Sequence, residues 1–159
     1  GNKMNPKTDS YYKMKRNMIW NKYNSKCSGV STKWMDVFIK YLVPLWTVFV
    51  PLLGFGSVYN ALNDYYSSDW SIYFSYPINV ILFITLIAKF VCIIIMFYYL
   101  KRLALQGIIA LYTFTFLSIA ETIFLLINSI QPTNILMVIA LIINAIYFFK
   151  RRNLFKNAE

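Results

Sequence analysis

Apolar side chains gather in four long runs along this chain, Tyr41 to Leu62, Ile78 to Leu100, Ile108 to Ile130 and Ile135 to Phe149. A hydrocarbon core about 30 Å thick needs roughly 20 consecutive apolar residues at about 1.5 Å each, so each run reads as a membrane-crossing helix. The fourth run holds only 15 residues. It must recruit Thr133 and Asn134, let Lys150 reach back to the interface, or thin the bilayer locally, which sets that span at 133 to 149. Four such runs in 159 residues leave too little polar sequence to wrap a soluble core. The pattern therefore predicts an all-α fold, a polytopic bundle of four transmembrane helices over residues 41 to 155. Forty largely polar residues precede the first run, and no small-residue cleavage site follows it, so it does not read as a cleavable signal peptide.

Residues 1 to 32 are polar, basic and rich in Asn, Ser and Tyr, with too few aliphatic side chains to offset the entropy of ordering. The expectation is a mobile basic tail. From Lys33 the pattern changes. Trp34, Val37, Phe38 and Tyr41 recur at i, i+3, i+4 and i+7, with Lys33, Asp36 and Lys40 on the opposite arc. This fits an interfacial amphipathic helix over 33 to 40, and equally a plain extension of the first span. Within that span Pro44, Thr47, Pro51 and Gly54 share a face. Proline removes a backbone donor and crowds the preceding turn, so a kink is expected near Pro51. Such a helix serves either as a moving part or as a face where small residues admit a neighbouring helix.

Composition agrees with the pattern: 58% of residues are apolar and 14% charged, against about 25% charged in soluble domains. Charge then gives the runs a direction. Of the net +10, nine basic residues lie before the first run, and Lys101 with Arg102 lies between the second and third. Lys150, Arg151, Arg152 and Lys156 follow the fourth, whereas the first loop carries Asp64 and Asp69 and no basic residue. All the basic residues that flank spans thus fall on one side, which by the positive-inside rule predicts cytoplasmic N- and C-termini. Tyr59, Tyr65, Tyr66, Trp70, Tyr73 and Tyr76 mark the outer boundary, and Trp34, Tyr41, Tyr98, Tyr99 and Tyr147 the inner one. Lys13, Lys15, Arg16, Lys22, Lys101, Arg102, Arg151 and Arg152 are the candidate contacts to anionic lipid head groups of the inner leaflet.

Candidate chemistry is sparse. Histidine is absent, the two cysteines are 65 positions apart, and no phosphate loop, Cys-x-x-Cys or nucleophile elbow occurs. No catalytic residue, metal site or cofactor is expected. Basic residues interleaved with Tyr11, Tyr12, Trp20 and Tyr23 also suit single-stranded nucleic acid, but the topology already accounts for that charge and no nucleic-acid partner is expected. Two ionisable residues lie deep in the spans, Lys89 and Glu121. Thr85 shares a face with Lys89, and Thr115, Ser118 and Thr122 share an arc with Glu121, so a polar lining around an intramembrane ion pair is expected. The pair either fixes helix register or serves as a site. The function expected is a non-enzymatic membrane protein of accessory, regulatory or partner-binding type, binding a protein partner, a lipid or another copy of itself. The alternative is a small oligomeric transporter or channel that uses Lys89 and Glu121.

Two short stretches carry a resemblance. Gly1-Asn2-Lys3-Met4-Asn5-Pro6-Lys7-Thr8-Asp9-Ser10-Tyr11-Tyr12 resembles the segment after the first Cys-x-x-Cys knuckle in small bacterial membrane proteins with an N-terminal zinc ribbon. Tyr147-Phe148-Phe149-Lys150-Arg151-Arg152-Asn153-Leu154-Phe155 is similar to the way those chains end. The resemblance implies four spans behind a basic linker, in a bacterial inner membrane, and no known activity. The ribbon's first knuckle would precede Gly1, Tyr12 stands where the second would begin, and Cys27 is alone. A tetrahedral zinc site needs four ligands, so no structural zinc is expected in this chain.

Overall fold

The computed structural model describes residues 9–29, 31–128 and 132–155, and all its regular structure is helical. Helix α1 (Asp9–Lys26) is followed by α2 (Lys33–Val37), a π-helical turn (Phe38–Leu42) and α3 (Val43–Tyr65). The short α4 (Trp70–Tyr73) precedes α5 (Pro77–Tyr99), α6 (Leu105–Asn128), α7 (Pro132–Lys150) and a closing 3-10 turn at Arg152–Leu154. Among the described residues four helical stretches are long and apolar enough to cross a membrane, beginning at Lys33, Pro77, Leu105 and Pro132. The fourth is 19 residues long, about 28 Å, and takes in Thr133 and Asn134 as its short apolar run requires. The chain is an all-α, four-helix membrane bundle. Helix α5 packs against both α3 and α6, and α6 against α7.

Residues 33 to 40 do not form a separate interfacial helix. α2 runs through the π turn into α3 as one 33-residue helix. The cause lies at Pro44, which has no N–H and crowds the carbonyl four residues back. The backbone widens one turn ahead of it, and the Val43 N–H reaches back five residues to the Phe38 carbonyl. Pro51, where a kink was expected, sits inside α3, whose helix runs on past it. Gly54 serves the packing face, because a Cβ there would run into the Leu86 side chain of α5.

In the described part of the expected tail, residues 9 to 26 are helical, and their C-terminal end is docked. Tyr23 and Cys27 are buried in a core with Met35, Phe38, Ile93, Met96, Leu100, Leu103, Phe148 and Phe155. The Tyr23 hydroxyl donates to Asp36 Oδ1 at 2.6 Å, and Lys40 Nζ lies 5.1 Å from the Trp20 ring centre. Four aromatic residues of α1, Tyr11, Tyr12, Trp20 and Tyr23, thus stand in a segment without aliphatic density, and the last of them anchors it. This core gathers at the end of the bundle that carries Lys101, Arg102 and Lys150.

Tight turns hold the helices in register. Between α5 and α6, Leu103 adopts φ 52, uncommon without glycine, and buries its side chain. Gly107 then starts α6 so close that a Cβ would lie 2.8 Å from the Leu100 nitrogen. At the opposite end the Asp69 carboxylate accepts from the Ser71 N–H at 2.9 Å and caps α4. The Ser71 hydroxyl, which donates to the same oxygen at 2.6 Å, and then this N–H hold its carboxyl below the usual aspartate range. Around it Tyr66, Trp70, Tyr73, Phe74, Tyr76 and Phe83 stack edge to face.

Candidate functional site

Antiparallel packing of α5 on α6 brings the two intramembrane charges together. Lys89 is ten residues from Tyr99 and Glu121 sixteen from Leu105, so their backbones stand about 15 and 24 Å from the shared turn. Side chains lean toward the N-terminus of their own helix. Because the helices run in opposite directions, Lys89 and Glu121 lean toward each other and close that gap. Lys89 Nζ donates to Glu121 Oε2 at 3.2 Å. The ammonium also lies 5.9 Å from the centre of the Phe114 ring, a cation–π contact.

The pair lines a cavity of about 440 Å³ enclosed by α3 with its N-terminal extension, α5, α6 and α7. Its walls are mostly apolar, with Phe38, Trp46, Val50, Leu125, Met137 and Leu141 prominent among them. One end is closed by Trp34, whose indole N–H donates to Asn144 Oδ1 at 2.7 Å. Just beyond, the Met35 N–H donates to the Tyr147 hydroxyl at 3.1 Å. That amide is one of the first-turn donors of α2 with no partner inside its own helix.

The expected polar lining is only half present. Ser118 and Thr122 line the cavity; Thr85 and Thr115 do not. Thr85 and Thr115 donate to the carbonyls four residues back, Ile81 and Leu111, both at 2.8 Å. A hydroxyl in hydrocarbon finds its nearest acceptor on its own helix. Thr122 also donates to the Ser118 carbonyl. Ser118 differs: its Oγ is buried and has no hydrogen-bond partner among the described residues.

The kink residues stand elsewhere, with Pro44 behind the π turn and Gly54 against Leu86. Pro51 and Thr47 line a broad open groove on α3 that faces Trp70 and Phe83. Among the head-group candidates, Lys13, Lys15, Arg16 and Lys22 are exposed along α1, and Lys15 Nζ lies 5.8 Å from the Tyr11 ring. The three arginines among the others, Arg102, Arg151 and Arg152, sit at helix C-termini and share the job of capping them. Arg102 donates to the Tyr98 carbonyl at 2.6 Å, Arg152 to Phe149 at 2.9 Å and Arg151 to Tyr147 at 3.2 Å. Each stacks on the aromatic ring of the residue that it caps. Arg151 also donates to the Ser31 carbonyl at 2.8 Å, tying the end of α7 to the start of α2. Lys101 is half-buried over Phe97. Burial and its neighbour Arg102 hold it below the ordinary lysine value.

Asn144 and Trp34 are the site residues that sequence reasoning missed. Asn144 had a usable signal, since a lone amide within the fourth apolar run needs a partner in hydrocarbon. No family model, curated protein or solved structure matches this chain.

Proposed function

We propose that this chain is a non-enzymatic integral membrane protein of accessory or regulatory type, whose work is to bind a partner inside the bilayer. The observation that carries the reading is the cavity bordered by Lys89 and Glu121. A buried charge pair is expensive in hydrocarbon, and this one is turned toward an open space instead of being packed away, with side chains 17% and 28% exposed. The chain has no histidine to share a proton near neutrality, and the ammonium and carboxylate are paired with each other, which favours holding over turnover.

In this reading both termini face the cytoplasm of a bacterial cell, because the basic residues that flank the spans in sequence all fall before the first, between the second and third, or after the fourth. Lys13, Lys15, Arg16 and Lys22 on α1, with Lys101 and Arg152, contact anionic lipid there, each contributing about 1 kcal/mol near the surface. The test is purification in mild detergent followed by identification of what stays bound. The cavity should retain a partner in near-stoichiometric amount, and Ala140→Trp, which places bulk on the cavity wall, should release it without unfolding the bundle. Equal retention by the variant contradicts the proposal.

A small oligomeric transporter or channel is the second reading. It is favoured by the polar side chains strung along the cavity, from Asn134 through Thr122, Glu121, Lys89 and Ser118 to Asn144. Ion or solute flux in reconstituted vesicles, abolished by Lys89→Met, would establish it in place of the first.

A further inference from the structure

We propose that the cavity takes an uncharged, lipid-like amphiphile whose head group both donates and accepts hydrogen bonds, of the monoacylglycerol kind. The inference rests on the binding reading above and names its ligand class.

Four features select that chemistry. First, the charges of Lys89 and Glu121 cancel, so the site is neutral as it stands. An ionic head group would add a net charge at hydrocarbon depth, where charge is most costly, whereas a neutral polar head adds none. Second, the pair is joined by a single contact at 3.2 Å. A lysine ammonium has three donors and a carboxylate two oxygens, which leaves N–H groups of Lys89 and Oε1 of Glu121 for a ligand. A head that accepts from the one and donates to the other satisfies both. Third, Ser118 stands on the same wall one turn before Glu121, and its Oγ, turned away from the open space, is buried without a partner among the described residues, so that rotation about its Cα–Cβ bond brings it to a head group. A buried hydroxyl normally has one. Fourth, the remaining wall is apolar, and about 440 Å³ lies within the range of small-molecule pockets.

Access fits a ligand that arrives through the bilayer. α3 and α7 are not packed against one another along their lengths. Among the described residues their side of the bundle is drawn together at one end, by Trp34 on Asn144 and Phe38 on Phe148. Met137 and Ala140 line the cavity and are exposed on the lipid-facing surface of α7. An acyl chain therefore enters between α3 and α7 without crossing a polar barrier, and its head comes to rest at Lys89 and Glu121.

The test uses tryptophan fluorescence, since Trp34 and Trp46 line the cavity. The whole chain is placed in phosphatidylcholine nanodiscs and titrated with dibromostearoyl glycerol or, separately, with anionic dibromostearoyl lysophosphatidylglycerol. The neutral probe should quench saturably and be displaced by unbrominated monoolein. Glu121→Gln and Lys89→Met should each weaken it at least about tenfold, the effect of losing a hydrogen bond to a charged group. Ala140→Phe, which leaves the pair intact and adds bulk to the wall without a new fluorophore, should remove the displaceable part. Tighter saturable quenching by the anionic probe overturns the proposal and leaves the binding reading standing. Absence of displaceable quenching by either probe overturns the proposal, and the binding reading then rests on co-purification alone. Unchanged quenching in Ala140→Phe places the probe outside the cavity and overturns the proposal.

Discussion

At the scale of single residues, two buried polar contacts act on opposite sides of the hydrocarbon boundary, and each yields a measurable consequence. Lys89 and Glu121 stand where an unpaired charge costs roughly 3 kcal/mol. Glu121→Gln or Lys89→Met alone should therefore destabilise the bundle by about 2 to 3 kcal/mol, and the double variant by less, since only the singles leave an uncompensated charge. Unfolding titrations in mixed micelles measure this; equal stability of both singles and the parent would mean that the contact contributes nothing. Outside the spans, the Tyr23 hydroxyl donates to Asp36 and covers Cys27. Burial, then the charge of Asp36, raise the Cys27 thiol above its usual value, so few thiolates are available for alkylation. Tyr23→Phe, in a Cys92→Ala background, should speed maleimide labelling of Cys27 at pH 8 by about tenfold, and an unchanged rate would show that the hydrogen bond does not hold α1 down. The same contact sets a pH limit. Burial first, and the Asp36 bond next, raise the Tyr23 phenol above its ordinary value. Its contribution is fully present below about pH 10 and is lost as pH rises further, when the unfolded chain ionises first. The ion pair was legible in the sequence because charges interrupt an apolar run. The hydroxyls were not, because helical spacing places Thr85 and Thr115 on a face without saying that their hydrogens turn back to their own helix.

At the scale of helices, close approach is set by glycine, and the three glycines of the spans give graded expectations. A Cβ at Gly107 would lie 2.8 Å from the Leu100 nitrogen and 3.0 Å from the Tyr99 carbonyl carbon. Backbone cannot yield cheaply, so Gly107→Ala should cost about 2 kcal/mol or more. At Gly54 the obstacle is the end of the Leu86 side chain, which can shift, and about 1 kcal/mol is expected, recovered by Leu86→Ala. Gly56 has nothing within 4 Å, and its change to Ala should lie within about 0.5 kcal/mol of neutral or stabilise slightly. Thermal denaturation of the three variants checks the order, and a Gly56 variant worse than Gly107→Ala would overturn the packing described. The helix boundaries were readable from apolar run length, since hydrocarbon thickness sets a minimum that composition must meet. Two elements were not. The start of the first span hid its continuity because Trp34, Val37 and Phe38 serve both a surface helix and an extension. Helix α1 hid its docking because a few buried side chains near its end, Tyr23 above all, fix a segment that is otherwise polar.

At the scale of the whole molecule, everything about the cavity depends on the four long helices lying side by side across one bilayer. That arrangement puts the α5–α6 turn and the end of α7 on one face, and α4 with the start of α7 on the other. It also gathers the capping residues Arg102, Arg151 and Arg152 where positive charge favours both helix C-termini and anionic lipid. The arrangement is tested most directly by single cysteines at positions 67, 102, 133 and 157, in a chain with Cys27→Ser and Cys92→Ala, labelled by an impermeant maleimide in intact cells and again after permeabilisation. Positions 67 and 133 should react in intact cells, and 102 and 157 only once the membrane is opened. Reaction at 157 from outside would remove the fourth span, and with it the α7 wall of the cavity on which the proposed function rests.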